Sequence, residues 1–311
     1  MRSLLTVFKL AVTGALLWFI FDRIDFGALA LRLSPKDIAA GLLAGVSANL
    51  LQAIVFAFRL RACLRIVGHR INLPNAWITT LFGGLFSHTP ISFIGGDAIR
   101  VWYLAKCGAS LPDATKAVIL DRIIGFIGMM FIVLATAPVM INAIGSSTLK
   151  GGYVSLVAVG IAIILGFLIA GLIPQILQRG RILGRIVEYA SLSRHLALRP
   201  REAMAALGLA VIANLVNVIA IWLVSLAYGY DIGFYVSLVA APTIFLVAMM
   251  PISVAGWGLR EGAAVVVLGL FAVSGEQSVT VSVTVGIAVA LAYSPGLILF
   301  PLIRRRGGFR Q

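Results

Sequence analysis

The chain is poor in charge. Only 12% of its 311 residues are Asp, Glu, Lys or Arg, while 61% are hydrophobic. A soluble domain of this length needs a far more polar surface, so a soluble globular protein is excluded. Histidine (3) and cysteine (2) are scarce. Cys63 and Cys107 lack metal-ligand spacing, which predicts free thiols rather than a metal or disulfide framework. His69 and His195 have no acidic partner at useful spacing, and no G-x-S-x-G, H-E-x-x-H or P-loop sequence occurs. Asp22 and Asp25 form a lone D-x-x-D pair, short of the paired aspartate-rich motifs of a metal-dependent prenyl transferase. No metal, no cofactor and no enzymatic activity are expected; a membrane-embedded transferase is the weakest reading.

Acidic residues are also few, 11 against 25 basic ones, for a net charge of +14. Such a balance suits either nucleic acid or an anionic membrane surface. No zinc-finger, basic-zipper or RNA-binding signature is present, and the basic residues sit in short segments between apolar runs. Membrane orientation and lipid headgroups account for them, and no nucleic-acid partner is expected.

Long apolar runs are what the chain does have. Six are read as full spans, at about 4–21, 37–58, 115–141, 152–173, 203–228 and 279–302. The first is taken as an uncleaved helix, because no small-x-small cleavage site precedes Asp22. Two further regions, about 75–106 and 235–273, are too long for one crossing. Each is interrupted by nearly the same phrase, Pro90-Ile-Ser-Phe-Ile-Gly95 and Pro251-Ile-Ser-Val-Ala-Gly256. Proline and glycine break helices, so both regions are read as re-entrant hairpins. Pro90, Gly95 and Gly96 are expected to turn the first, and Pro251, Gly256 and Gly258 the second.

Asn49–Ile54 echoes Asn214–Ile219, and Gly68, Ile71 and Leu73 echo Gly229, Ile232 and Phe234. The chain therefore reads as two repeats, about 37–141 and 203–302, in one membrane domain spanning 1–311. Lys and Arg distribution orients them. With a cytoplasmic N-terminus, the inside segments hold Arg2, Lys9, Arg59, Arg61, Arg65, Arg70, Arg100, Lys106, Lys116, six arginines in the loop around 178–202 and four in the tail. The outside holds Arg23, Arg32, Lys36 and Lys150. The expected fold is an all-α polytopic membrane protein, with about six full transmembrane helices plus two re-entrant helical hairpins in an inverted repeat and both termini cytoplasmic. Paired interruptions at matching places in two halves point to a transporter's binding site.

Charge within apolar sequence is expensive and faces a cavity or a partner. The candidates for substrate contact are Asp97, Arg100, Asp121, Arg122, Arg260 and Glu261, with His88 near the first break. Arg100 and Arg260 suit a lipid phosphodiester through bidentate hydrogen bonds. Plainer readings stand beside these: a local Asp97–Arg100 helix pair, an Arg260–Glu261 ion pair locking the second hairpin, and Arg122 snorkelling to the interface. Gly41 and Gly45 form a small-xxx-small patch suited to close helix packing, and Asn49, Asn214 and Asn217 either join helices or line a cavity.

Three segments carry a family resemblance: Ile94-Gly-Gly-Asp-Ala-Ile-Arg100 with Val101-Trp-Tyr-Leu104, Ala117-Val-Ile-Leu-Asp-Arg122 with Gly125, and Pro251-Ile-Ser-Val-Ala-Gly-Trp-Gly-Leu-Arg-Glu261. They resemble the lysylphosphatidylglycerol synthase transmembrane-domain, or flippase-like, family. The resemblance implies a lipid translocase of the bacterial inner (plasma) membrane, acting on a phospholipid, glycolipid or other polar-headed lipid. With about ten residues after the last span, the expectation is a stand-alone member without the synthase domain. Such members are found with lipid, glycolipid or hopanoid biosynthesis genes, so a hopanoid-associated role and a lipid-biosynthesis enzyme as partner also follow. The alternative is a non-transporting lipid-binding or scaffold protein working with such an enzyme.

Overall fold

The computed structural model describes residues 11–15, 18, 34–87, 93–170, 192–250 and 252–305. Among these residues there are eleven helices of seven residues or more and no strand. They are α1 (Pro35–Ile66), α2 (Leu73–Ser87), α3 (Phe93–Lys106), α4 (Leu111–Ala143), α5 (Ser147–Ala170), α6 (Leu192–Leu198), α7 (Pro200–Ala227), α8 (Phe234–Ala248), α9 (Leu259–Gly269), α10 (Gly275–Tyr293) and α11 (Pro295–Arg305). Five helical segments are long and apolar enough to span a bilayer: α1, α4, α5, α7 and the run of α10 into α11. Most of the expected first span lies outside the described residues.

Local sequence sets the helix starts. Ser34, Ser110 and Ser274 cap α1, α4 and α10 by accepting from the backbone N–H three residues on. Asp37 and Gln277 return the bond in the first and last, giving reciprocal capping boxes. Pro35 and Pro112 stand in the first turns of α1 and α4, where their missing N–H leaves no broken bond.

Both long apolar regions appear as helix pairs, with residues 88–92 of the first and 251 of the second outside the described residues. The first gives α2 and α3 on either side of the break, and the second gives α8 and α9. At about 1.5 Å per residue these helices reach roughly 16–22 Å, short of a hydrocarbon core about 30 Å thick. Ala255, Gly256 and Gly258 take φ of 52°, 79° and 80° in the second break. Glycine makes this left-handed backbone cheap at two of the three positions. Pro90, His88 and Pro251 lie outside the described residues. Gly95 and Gly96 are not turn residues, because both fall inside α3. Gly96 instead lets α3 lie against the end of α2, since a Cβ there would collide with Ser87 and sit 2.5 Å from the Gly83 carbonyl.

α1 and α7 pack side by side and antiparallel. Gly41 meets the Tyr228 ring, Gly45 meets Val224, Gln52 Nε2 donates to the Ala213 carbonyl (2.9 Å), and Arg199 donates to the Arg65 carbonyl (2.6 Å). As one chain rises the other falls. α10 packs on α1, where a Cβ on Gly45 would sit 2.7 Å from Ala288. Likewise α4 packs on α7, where a Cβ on Gly128 would sit 2.6 Å from Ala210. α2 touches α10 and α8 touches α4. The core centres on α4, α7, α8, α9 and α10, with Met130, Val133, Val224, Ile244, Leu268 and Val285 buried together. Leu43, Phe131, Ile163 and Leu297 point outward, as lipid-facing side chains do.

The small-xxx-small reading of Gly41 and Gly45 therefore holds, while the asparagines divide: Asn214 and Asn217 line a cavity, and neither Asn49 nor Asn214 bonds to another helix. Asn49 donates to Gly45 and Asn214 to Ala210, each within its own helix. The bond between helices is made by Gln52. Packing this close leaves no room for added atoms, and overpacking costs about 1–3 kcal/mol. Gly41→Leu is expected to lower the thermal midpoint of the detergent-solubilised protein by several degrees. Gly166→Leu, in open space on α5, leaves it unchanged; equal effects would contradict the assigned packing.

Candidate functional site

The site is built on arginines held inside an apolar bundle. α1 runs past the expected end of its span, so Arg59, which charge counting assigns to a cytoplasmic loop, stands within the helix and is 6% exposed. Nothing breaks the helix before Gly68, and a partner waits for the side chain. Arg59 Nε donates to Asp121 Oδ1 at 2.7 Å and Nη2 to Oδ2 at 3.3 Å. Arg100 Nη2 donates to the same Oδ2 at 2.7 Å. One carboxylate on α4 thus ties α1 and α3 together.

Asp121 and its neighbour Arg122 look in different directions. Asp121 is 2% exposed between the two arginines. Arg122 reaches across to Asp97 on α3, with Nε and Nη2 donating at 3.0–3.2 Å. Arg122 is thus engaged with a carboxylate rather than only snorkelling. The Asp97–Arg100 pair is long, at 3.5 Å, so Arg122 is Asp97's main partner.

The second cluster is smaller. Arg260 donates to Glu261 Oε1 at 2.6 Å from Nη2 and 3.0 Å from Nε, and Nε also meets Ser282 Oγ at 3.2 Å. Ser282 in turn donates to Glu261 Oε1. Glu261 Oε2 accepts the Gly258 N–H at 2.6 Å, capping α9 across the break. Glu261 is wholly buried and its oxygens are committed, so it positions Arg260 and the break rather than facing the cavity. Arg260 also lies over the Trp257 ring, 4.9 Å from its centroid.

Each buried arginine rests on a glycine. A Cβ on Gly83 would sit 2.5 Å from Arg100 Cδ, one on Gly125 would sit 3.0 Å from an Arg59 nitrogen, and one on Gly286 would collide with the Arg260 guanidinium. Asp121 and Gly125 stand one turn apart on α4; Ser282 and Gly286 do the same on α10, at the same offset of 161 residues that separates the two Pro-Ile-Ser phrases. Sequence reading missed this pair because serine does not advertise itself as the counterpart of an aspartate.

The two clusters border adjoining cavities. One, about 160 Å³, is bordered by Arg59, Arg100, Asp121 and Arg122. The other, about 280 Å³, is bordered by Arg260, Asn214, Asn217, Ser253 and Gly256. Phe56, Ser87, Arg122 and Tyr293 line both, so the arginines of the two halves face one polar chamber. Its donors suit an anion. Among the described residues no cluster of His, Cys, Asp or Glu is arranged to hold a metal ion. Cys63 is buried beneath the first cluster as a free thiol, and Cys107 is also free.

Removing one partner of a buried ion pair costs about 3–5 kcal/mol, because the other charge is left uncompensated. Asp121→Ala is therefore expected to lose most folded protein in a detergent melting assay. Arg59→Met combined with Asp121→Ala should lose less than the two single changes summed, with a coupling of about 0.5–3 kcal/mol. Strict additivity would show that the pair is not coupled.

No curated protein matches the chain. The family model described as the lysylphosphatidylglycerol synthase TM region matches residues 6–296, and the chain belongs to that family of membrane proteins associated with lipid handling.

Proposed function

We propose that this multi-pass membrane protein moves a polar-headed lipid between the leaflets of the bacterial inner membrane, without altering it chemically. The headgroup crosses through the chamber while the acyl chains stay in the bilayer. The observation that carries this reading is the shared chamber itself. Arginines from both halves border one polar space, flanked by four helices too short to cross the membrane alone.

In this reading the halves are inverted copies, and the broken pairs α2–α3 and α8–α9 are re-entrant, entering from opposite faces with both chain termini cytoplasmic. Three observations support the inversion. The first helices of the halves, α1 and α7, run antiparallel. α10 packs on α1 as α4 packs on α7. The Asp121–Gly125 and Ser282–Gly286 pairs recur at the offset of the repeat. Non-helical backbone at that depth is tolerated where it lines a wet cavity, and the second break borders one through Ser253 and Gly256. A lipid-biosynthesis enzyme that supplies or receives the lipid is the partner this role implies.

The test is lipid scrambling in liposomes, read by chemical bleaching of a fluorescent phosphatidylglycerol. Wild-type protein is expected to expose inner-leaflet lipid to the bleach. Arg260→Gln, folded by size-exclusion elution, should slow this about tenfold or more, as loss of a charged hydrogen bond worth about 1.5–3 kcal/mol implies. Protein-free kinetics with wild-type protein, together with co-purification of a biosynthetic enzyme, would favour the scaffold role instead.

A further inference from the structure

The inner chamber is not the only cavity that Arg122 borders. A wider groove of about 750 Å³ runs along the outside of the bundle between α3 and α4. Its walls are mostly apolar and include Ala98, Val101, Trp102, Val118 and Ile119. Its size falls within the roughly 300–1,000 Å³ of ordinary ligand sites. It is polar where Asp97 and Arg122 face each other, and Lys106, whose ammonium lies over the Trp102 ring, and Thr115 also line it. Arg122 lines the groove and both inner cavities, so the Asp97–Arg122 pair stands between the apolar groove and the polar chamber. This pair is the exposed one of the set, with side chains 29% and 39% accessible, whereas the Arg59–Asp121, Arg100–Asp121 and Arg260–Glu261 pairs are at most 8% accessible.

Charge and hydrogen bonding both leave room for one anion. Among the described residues, four guanidinium groups (Arg59, Arg100, Arg122, Arg260) meet three carboxylates (Asp97, Asp121, Glu261), an excess of one positive charge. Among the described residues, two buried polar atoms beside the chamber have no hydrogen-bond partner: Arg100 Nε and Ser253 Oγ. A buried donor without a partner needs an explanation, and a ligand oxygen supplies one.

The geometry points to a two-part site for a monoanionic phospholipid. One acyl chain occupies the α3–α4 groove beside Trp102, and the phosphodiester replaces Asp97 as the partner of Arg122 on its way to Arg100 and Ser253. The Asp97–Arg122 pair is the lateral latch through which the headgroup enters. This inference rests on the proposed translocation and adds its entrance and its headgroup charge.

Trp102 provides the readout. Phosphatidylglycerol brominated on its acyl chains, titrated into the purified protein in a neutral detergent, is expected to quench part of the tryptophan emission saturably. That part should be absent in Trp102→Phe. Brominated phosphatidylcholine, which is zwitterionic, should need about tenfold more lipid for the same effect. Arg122→Gln should erase the preference while leaving quenching by phosphatidylcholine in place, and Ala98→Phe, which fills the groove, should weaken quenching by both lipids. Equal quenching of the wild type by the two lipids would overturn the two-part site, as would displacement of the lipid by millimolar inorganic phosphate. If scrambling in liposomes persists alongside either result, only the entrance is wrong; if scrambling is absent too, the translocation reading falls with it.

Discussion

The structure depends on keeping cationic side chains inside a bundle that is otherwise apolar. An uncompensated charge in such surroundings is costly, so each buried guanidinium must find a carboxylate and a place to lie flat. Asp121 does most of this for the first half, accepting from Arg59 and Arg100 together, and Glu261 does it for the second. Gly83, Gly125 and Gly286 supply the flat places. The helices that carry these groups are fixed relative to one another by the same bonds. A change at Asp121 or Gly286 is therefore a change in helix placement as well as in charge.

In the proposed two-repeat arrangement, the halves solve this problem with similar parts and different strengths. In the first, Asp121 on α4 binds arginines from α1 and α3. In the second, a serine stands at the matching place, and the carboxylate has moved to the residue beside Arg260. The second half is consequently closed in on itself, with Glu261 also capping α9. The first keeps an accessible pair, Asp97–Arg122, at the junction of the outer groove and the chamber. In the proposed cycle this asymmetry assigns entry of the headgroup to the first half and a fixed anchor to the second.

Much of this was legible in the sequence. The regions at 75–106 and 235–273 emerged as helix pairs, because each is too long for one crossing, and Gly256 and Gly258 mark the turn in the second. Asp97, Arg100, Asp121, Arg122 and Arg260 all border the chamber or the groove leading to it, since charge in apolar sequence has few places to go. Arg59 was missed because a charge at the end of an apolar run looks the same in a loop as in a longer helix. Only the need of Asp121 for a second cation hinted at it. Gly95 and Gly96 were misassigned to a turn because glycine serves close helix packing as readily as it serves tight turns. Gln52 was overshadowed by Asn49 because the two amides sit three residues apart on one helix, and only geometry shows which carbonyl each reaches.

The arrangement of two oppositely directed halves around a charged chamber is tested most directly by sided labelling. Single cysteines at Arg70, Leu111, Asp231 and Gly275, in a background lacking Cys63 and Cys107, would be probed with a membrane-impermeant maleimide in oriented vesicles. The account predicts that positions 70 and 111 label from the cytoplasmic face, and that 231 and 275 label from the opposite face. If 70 and 111 label from different sides, or if all four label from one side, the broken helices do not return to the face they entered, or the halves are not inverted, and the account is contradicted.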